Sequence, residues 1–435
     1  MKYKWLLLMI LLFQTINSQS QKLGDLKIID SKVLKEKRNI KVLLPSDYST
    51  ENKYPVIYIT DANYNFEIAS TYLTQLIKFN AVPKTILVGI TQEKRWDELD
   101  VFWKENGIKF KDFIFNELIP YINTEYSTSG FNAIIGHSDG AEYNHLLMLQ
   151  ENNPFRGFIN ISENLNTDIS NGISEYFKAY KGKKLFYFIA SGKYDSKYRI
   201  AAGEAIENFY KNYKNTNIIF QNKLYDADHQ NLLSKSLIDG ISYIFQDYRN
   251  LSNYNGFKDY VKNYKGDVES IYGFTPNENR VDVDHFFVKA LDTKNLELYE
   301  YIVEYCRENK IFNFLTYDRS WHYYYMGQHS KSIQYWNKTI ENFEGTSPRV
   351  FYYNFKKAID SYSILNNPKG AIEFLEKCKK VLPEYILEFD YFIAKVSYER
   401  NVEKRKGKKS LKYCWTNYKE NRYFKKEDLD KLKIK

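Results

Sequence analysis

The chain has 435 residues, 43% of them hydrophobic and 27% charged, with a formal net charge of +9. That length exceeds one ordinary domain and points to two, and the apolar fraction excludes a chain too polar to bury a core. The charge is uneven: 14 Lys or Arg against 5 Asp or Glu between Arg400 and Lys435 account for all of it. The high aromatic content, 40 Tyr and 29 Phe, is expected to serve packing rather than carbohydrate stacking.

Lys2 and Lys4 precede an apolar run from Trp5 to Phe13, and polar residues follow from Gln14 to Ser20. A basic start, a short apolar core and small residues near Ser18 or Ser20 predict a cleaved signal peptide over 1–20. The run is too short to span a bilayer, and no cysteine follows it for lipid attachment. The expectation is an exported protein, periplasmic or secreted, with no stable membrane insertion after cleavage.

Residues 22–250 alternate strand-like and helix-like stretches. The expected strands are Ile40–Leu44, Val56–Thr60, Ile86–Ile90, Ala133–Ile135, Gly157–Ile161, Leu185–Ile189 and Ile218–Phe220. Several are apolar without alternation, the pattern of strands covered on both faces. Helical stretches are expected near 66–79, 109–123, 140–151, 200–214 and 231–249. This alternation predicts an α/β domain with a mostly parallel central sheet.

Residues 251–256 read as a linker, and 256–435 as an all-α domain. A motif of turn, small residue, large apolar residue and aromatic repeats around Ile333, Ile372 and Leu411, in steps of 39 residues. It resembles the tetratricopeptide helix pair, whose stacked copies form a concave protein-binding surface or pack on a neighbour. Its basic end, from Arg400 onward, reads as a solvated face; an exported protein rarely meets nucleic acid. Cys306, Cys378 and Cys414 show no Cys-x-x-Cys spacing, so neither a zinc site nor a redox pair is expected, and one disulfide is conceivable but unassigned.

The chemistry centres on Gly136-His137-Ser138-Asp139-Gly140, a G-x-S-x-G pentapeptide with an apolar strand before it and a helical stretch after it. In that context the serine is held in a strained turn at a sheet edge, and side chains at 136 or 140 would crowd the adjoining strand and helix. A serine hydroxyl needs a base, and the base needs an orienting acid. Of six histidines, His285, His322 and His329 fall in the helical domain. His137 points away from the serine's side of the chain, and His145 lies along the helix. His229 remains, in a loop between a strand and a helix, in the order Ser, acid, His. Asp195, just past the 185–189 strand, is the preferred acid. Asp226 and Asp228 are rivals, but both lie too near His229 in sequence to reach Nδ1 easily. The oxyanion requires two backbone donors: the amide of Asp139 and one from the loop Asp61-Ala62-Asn63.

Asn39–Pro45, Tyr48, Lys53–Asp61, Gly89-Ile90 with Arg95, Gly136–Gly140 and Asp228-His229 stand in an order that resembles the putative esterase (esterase D-like) family of α/β-hydrolases. The resemblance covers about residues 26–248. Two positions depart from the family's habit: Ala141 and Ala62 stand where glycine is often found. The family includes feruloyl esterases, siderophore esterases and mycolyltransferases. The resemblance implies Ser138 as nucleophile, His229 as base, Asp195 as acid, and Asn63 with Asp139 as oxyanion donors. The expected function is a serine esterase acting on a small-molecule or glycan ester, such as a sugar-acyl, feruloyl or siderophore ester, without cofactor or metal. The alternatives are an acyltransferase and a scaffold protein whose working part is the helical repeat.

Overall fold

The structure, a computed structural model, describes residues 24–432 apart from 101, 103, 164, 166, 279 and 344. The expected signal peptide lies outside the described residues. The chain divides after Asn277 into two compact units.

The first unit is built on an eight-stranded sheet. Its strands are β1 (Asp25–Ser31), β2 (Glu36–Leu43), β3 (Tyr54–Ile59), β4 (Ile86–Ile90), β5 (Thr128–His137), β6 (Phe155–Ile161), β7 (Leu185–Gly192) and β8 (Ile218–Tyr225). They lie in the order β1-β2-β4-β3-β5-β6-β7-β8. β1 pairs antiparallel with β2, and β2 antiparallel with β4; every other pairing is parallel. The fold is therefore α/β with a mostly parallel sheet, as expected. Every residue of β3, β4 and β7 is buried, which accounts for their unbroken apolar runs. β1 is missing from the sequence-based elements. It is an edge strand with exposed Leu26 and Ile28, so its side-chain pattern does not mark which face is inward.

The helices of this unit are α1 (Ala62–Lys78), α2 (Arg95–Glu98), α3 (Glu105–Phe113), α4 (Ile119–Glu125), α5 (Asp139–Met148), α6 (Thr167–Ala179), α7 (Lys197–Asn212), α8 (Leu232–Ile244) and α9 (Phe257–Tyr272). The stretch 251–256, expected as a linker, lies inside this unit because α9 belongs to it. Tyr272 is buried, with ring centroids 5.0 Å from Phe131, 5.8 Å from Phe186 and 5.5 Å from Phe245. Its backbone carbonyl accepts from Ser129 Oγ at 2.6 Å.

The second unit is helical: α10 (Arg280–Asp292), α11 (Leu296–Glu308), α12 (Thr316–Tyr325), α13 (His329–Glu341), α14 (Pro348–Asn354), α15 (Lys356–Ile364), α16 (Pro368–Val381), α17 (Ile386–Arg400), α18 (Lys404–Thr416) and α19 (Lys426–Asp430). The three repeat positions Ile333, Ile372 and Leu411 fall on α13, α16 and α18. Aromatic rings fill its core. Trp336 is fully buried, edge-on to Tyr317 at 5.7 Å and to Phe351 at 5.4 Å, and Tyr391 stacks on Phe424 at 4.1 Å. Cys306, Cys378 and Cys414 are buried and unpaired. On α18, Lys404, Arg405, Lys408, Lys409 and Lys412 are exposed. No described helix in the chain is long and apolar enough to cross a membrane.

The turn from β5 into α5 is a close backbone approach. A Cβ on Gly136 would stand 2.2 Å from the carbonyl oxygen of Gly140 and 2.6 Å from the amide nitrogen of Ala141. One on Gly140 would stand 2.5 Å from Thr60 Oγ1. Gly136→Ala is therefore expected to destabilise the first unit by about 3 kcal/mol or more, because the obstruction is backbone that cannot rotate aside. Urea unfolding followed by fluorescence measures this, and an unchanged midpoint would contradict the packing described.

Candidate active site

Ser138 is the N-cap of α5 and has φ 59° and ψ −124°. Such a backbone is costly for a non-glycine residue and is kept only where its surroundings enforce it. Here the Ser138 amide donates to the Ile161 carbonyl at 2.9 Å, and the Ser138 carbonyl accepts from the Ala141 and Glu142 amides. The amide of Asp139 opens α5, a position whose N–H has no partner inside the helix. Asp61 is likewise in the left-handed region, with φ 54°, and caps α1, so the amides of Ala62 and Asn63 are the first two of that helix. The Asn63 side chain is exposed. Gln92 Oε1 accepts from the Asp61 amide at 2.8 Å and holds this loop in place.

One guanidinium joins the two turns. Arg95 Nε and Nη2 donate to the two carboxylate oxygens of Asp61 at 2.7 and 3.1 Å, while Nη1 donates to Asp139 Oδ2 at 2.6 Å. Burial lifts the Asp61 carboxyl above its usual range, with Arg95 opposing. The other end of α2 is anchored too. Glu98 takes a bidentate contact from the fully buried Arg38 of β2, at 2.8 and 3.1 Å.

The loop after β8 carries His229. Its Nδ1 lies 3.0 Å from Asp195 Oδ2 and 2.7 Å from Ser162 Oγ, and Ser162 Oγ donates to Asp195 Oδ2. Burial works against the Asp195 charge, but the Ser162 hydroxyl, the Ser196 amide and His229 outweigh it and hold the carboxyl below its usual range. Asp226 and Asp228 are placed otherwise. Asp226 is exposed, 4.0 Å from Lys193 Nζ. Asp228 caps its own loop, accepting from the Gln230 and Asn231 amides at 2.9 and 3.0 Å. The structure thus pairs His229 with Asp195 and with neither rival.

His137 and His145 have other partners. His137 Nε2 stands 2.9 Å from the His229 carbonyl, which can only accept, so that nitrogen carries the proton. Burial, and then the neighbouring His229, push the His137 imidazole down to about 4. This neutral ring fastens the His229 loop to the residue beside Ser138. His145 is fully buried against the Tyr187 hydroxyl. A cleft of about 250 Å³ beside the turn is lined by Asp61, Tyr64, Asn65, Arg95, His137, Gln230 and Leu233. Among the described residues no cluster of His, Cys, Asp and Glu could hold a metal ion.

Four residues near the site escaped the sequence reading: Ser162, Glu163, Arg199 and Glu142. Ser162 and Glu163 follow β6, so their place at a strand's carboxyl end was an available signal. The positive φ of Ser162, 59°, was not. Arg199 donates to the Ser162 carbonyl and lies 3.6 Å from Asp195 Oδ1. Glu163 is fully buried, and neither of its carboxylate oxygens bonds to another described residue. Burial pushes the Glu163 carboxyl up to about 8, and burial with the nearby Asp139 pushes Glu142 up to about 7.

Known proteins resemble this chain over the first unit. Residues 31–167 match the family described as Putative esterase. Over 137 residues the chain is 31% identical to the uncharacterized protein YjcH of Bacillus subtilis, covering 30% of this chain. The aligned part spans only 57% of that relative's length. Among solved structures, an IroE-like serine hydrolase from Shewanella oneidensis superposes with a TM-score of 0.55 at 21% identity, covering 66% of this chain and 99% of that one. An uncharacterised protein from Capnocytophaga ochracea superposes with a TM-score of 0.56 at 16% identity, covering 73% and 93%. The first unit is thus an esterase-family match on an α/β-hydrolase fold, as its opening residues led us to expect.

Glu163 makes a measurable prediction. Between an unfolded value near 4.5 and a folded value near 8, the native state holds a proton that the unfolded chain has released. Stability therefore falls as pH rises through that window and levels off above it. Glu163→Gln is expected to flatten this fall by up to ~1.4 kcal/mol per pH unit. Urea unfolding at intervals between pH 5 and 9 reads the slope, and identical slopes for both proteins would show that Glu163 is charged in the fold.

Proposed function

We propose that the protein is an exported serine esterase that hydrolyses a carboxylic ester through an acyl-enzyme. The observation that carries this reading is the conjunction of a serine at φ 59° in a strand-to-helix turn with a histidine whose Nδ1 lies 3.0 Å from a buried aspartate. The esterase family match supports the same chemistry.

In this reading Ser138 Oγ attacks the ester carbonyl while His229 Nε2 takes its proton. The Nδ1 proton stays on the imidazole, and Asp195 remains ionised and steadies the cation. The negative charge that develops on the carbonyl oxygen is met by the Asp139 and Asn63 amides. The tetrahedral intermediate collapses, His229 gives its proton to the departing alcohol, and water then repeats the sequence on the acyl-enzyme. Arg95 keeps the two amide donors in register, and no cofactor is called upon. The substrate class we favour is an acyl ester of a sugar, phenolic acid or siderophore. The helical unit is free in this scheme to bind a protein partner. The stretch 1–20 supplies the export signal.

A fluorophosphonate probe is expected to label the folded protein on Ser138, located by peptide mass spectrometry. Ser138→Ala should abolish labelling and lower p-nitrophenyl ester hydrolysis by about 10⁴- to 10⁶-fold. Labelling at another residue, or retained hydrolysis by the variant, would overturn the assignment.

A further inference from the structure

Outside Ser138, His229 and Asp195, one side chain touches the relay twice. Ser162 Oγ donates to Asp195 Oδ2 and lies 2.7 Å from His229 Nδ1. An ionised carboxylate only accepts, so the hydroxyl proton points at Asp195 and an oxygen lone pair faces the imidazole N–H. We propose that Ser162 is a positioning residue, a fourth member of the relay that shares the His229 Nδ1 proton with Asp195 and stabilises the imidazolium–carboxylate pair formed during catalysis. This rests on Ser138 being the nucleophile.

Three further observations support the assignment. Ser162 is fully buried, so its hydroxyl does not lose its partners to bulk water. Its backbone has φ 59°, a left-handed conformation that a serine adopts only under compulsion. The compulsion is visible. The Ser162 amide donates to the Ala190 carbonyl of β7 at 2.8 Å, and the Ser162 carbonyl accepts from Arg199 of α7. Strain is thus accepted at a position whose side chain bridges acid and base.

The hydroxyl has an electrostatic task there. Its dipole presents oxygen to the imidazole and hydrogen to the carboxylate, which favours the charged form of both. The surrounding charges do not do this alone. Arg199, 3.6 Å from Asp195 Oδ1, steadies the carboxylate but repels an imidazolium. Glu163 adjoins Ser162 in the chain, Glu142 stands on α5, and His137 closes β5. Burial favours the neutral form of all three. The proton inventory is simple: the Ser138 proton moves to His229 Nε2, and the Nδ1 and Ser162 protons stay on their own atoms.

Ser162→Gly removes the hydroxyl and suits the left-handed backbone, and Ser162→Ala removes the same hydroxyl without relieving it. On p-nitrophenyl butyrate, with the full chain, both variants are expected to lose about 10- to 100-fold in kcat with KM little changed, the range for a hydrogen bond to a charged group. Fluorophosphonate labelling of Ser138 should slow in parallel. The acid limb of the kcat/KM profile should move to lower pH, because the imidazolium has lost a stabilising dipole. Full kcat with an unmoved acid limb in Ser162→Gly would overturn the proposal. So would loss of activity in Ser162→Ala alone, which would assign the effect to the backbone. Ser138→Ala run beside them separates the two ideas: if it still hydrolyses the ester, the nucleophile reading fails rather than the role of Ser162.

Discussion

The geometry of the site depends on Arg95. Two turns bring backbone amides to the same edge of the sheet, one capped by Asp61 and one by Ser138, and both caps lie in the left-handed region. The parallel pairing of β3 with β5 sets the turns side by side. The guanidinium then ties them together, with three donors spread over the carboxylates of Asp61 and Asp139 at 2.6–3.1 Å. A planar fork of fixed shape transmits position in a way a flexible ammonium does not, so lysine would be a poor substitute. Partial burial strengthens these contacts by keeping competing water away.

Around this clamp the site mixes charges that are held and charges that are withheld. Asp195 is kept ionised by three hydrogen-bond donors. Glu142 and Glu163, close by and deprived of comparable donors, are driven toward their neutral forms by burial. Desolvation alone would push all three the same way, so the donors decide which carboxyl carries charge. Burial thus works against charge on Glu142 and Glu163 and lessens the repulsion that a cluster of carboxylates would bring to the loop after β6.

Much of this was legible in the sequence, and the failures have physical causes. The buried strands from Ile86 to Ile90 and Leu185 to Ile189 announced themselves because both faces are covered. The elbow was readable because Gly136 and Gly140 are demanded by close backbone contact. His229 emerged because few histidines exist, and Asp195 because it follows a strand. β1 was not legible, since its alternation carries exposed apolar residues at the sheet edge. Nor was the assignment of α9 to the first unit. Its amphipathic pattern fits any apolar partner, and only the packing of Tyr272 on Phe131 and Phe186 selects one. Ser162 was hidden for another reason: a hydroxyl is informative only once the backbone has aimed it.

The ion pair of Arg38 with Glu98 ties the rim of the sheet to this centre. β2 pairs with β4 across a gap in chain order, and its buried cation holds the far end of the four-residue helix whose first residue is Arg95. Trimming the domain to begin at β3 would therefore remove more than two outer strands. It would leave Glu98 buried without its counter-charge, a loss of about 3–5 kcal/mol. The two outer strands, β1 and β2, remote from Ser138 in sequence, are thus part of the smallest piece of this chain able to hold the Asp61 and Ser138 turns still.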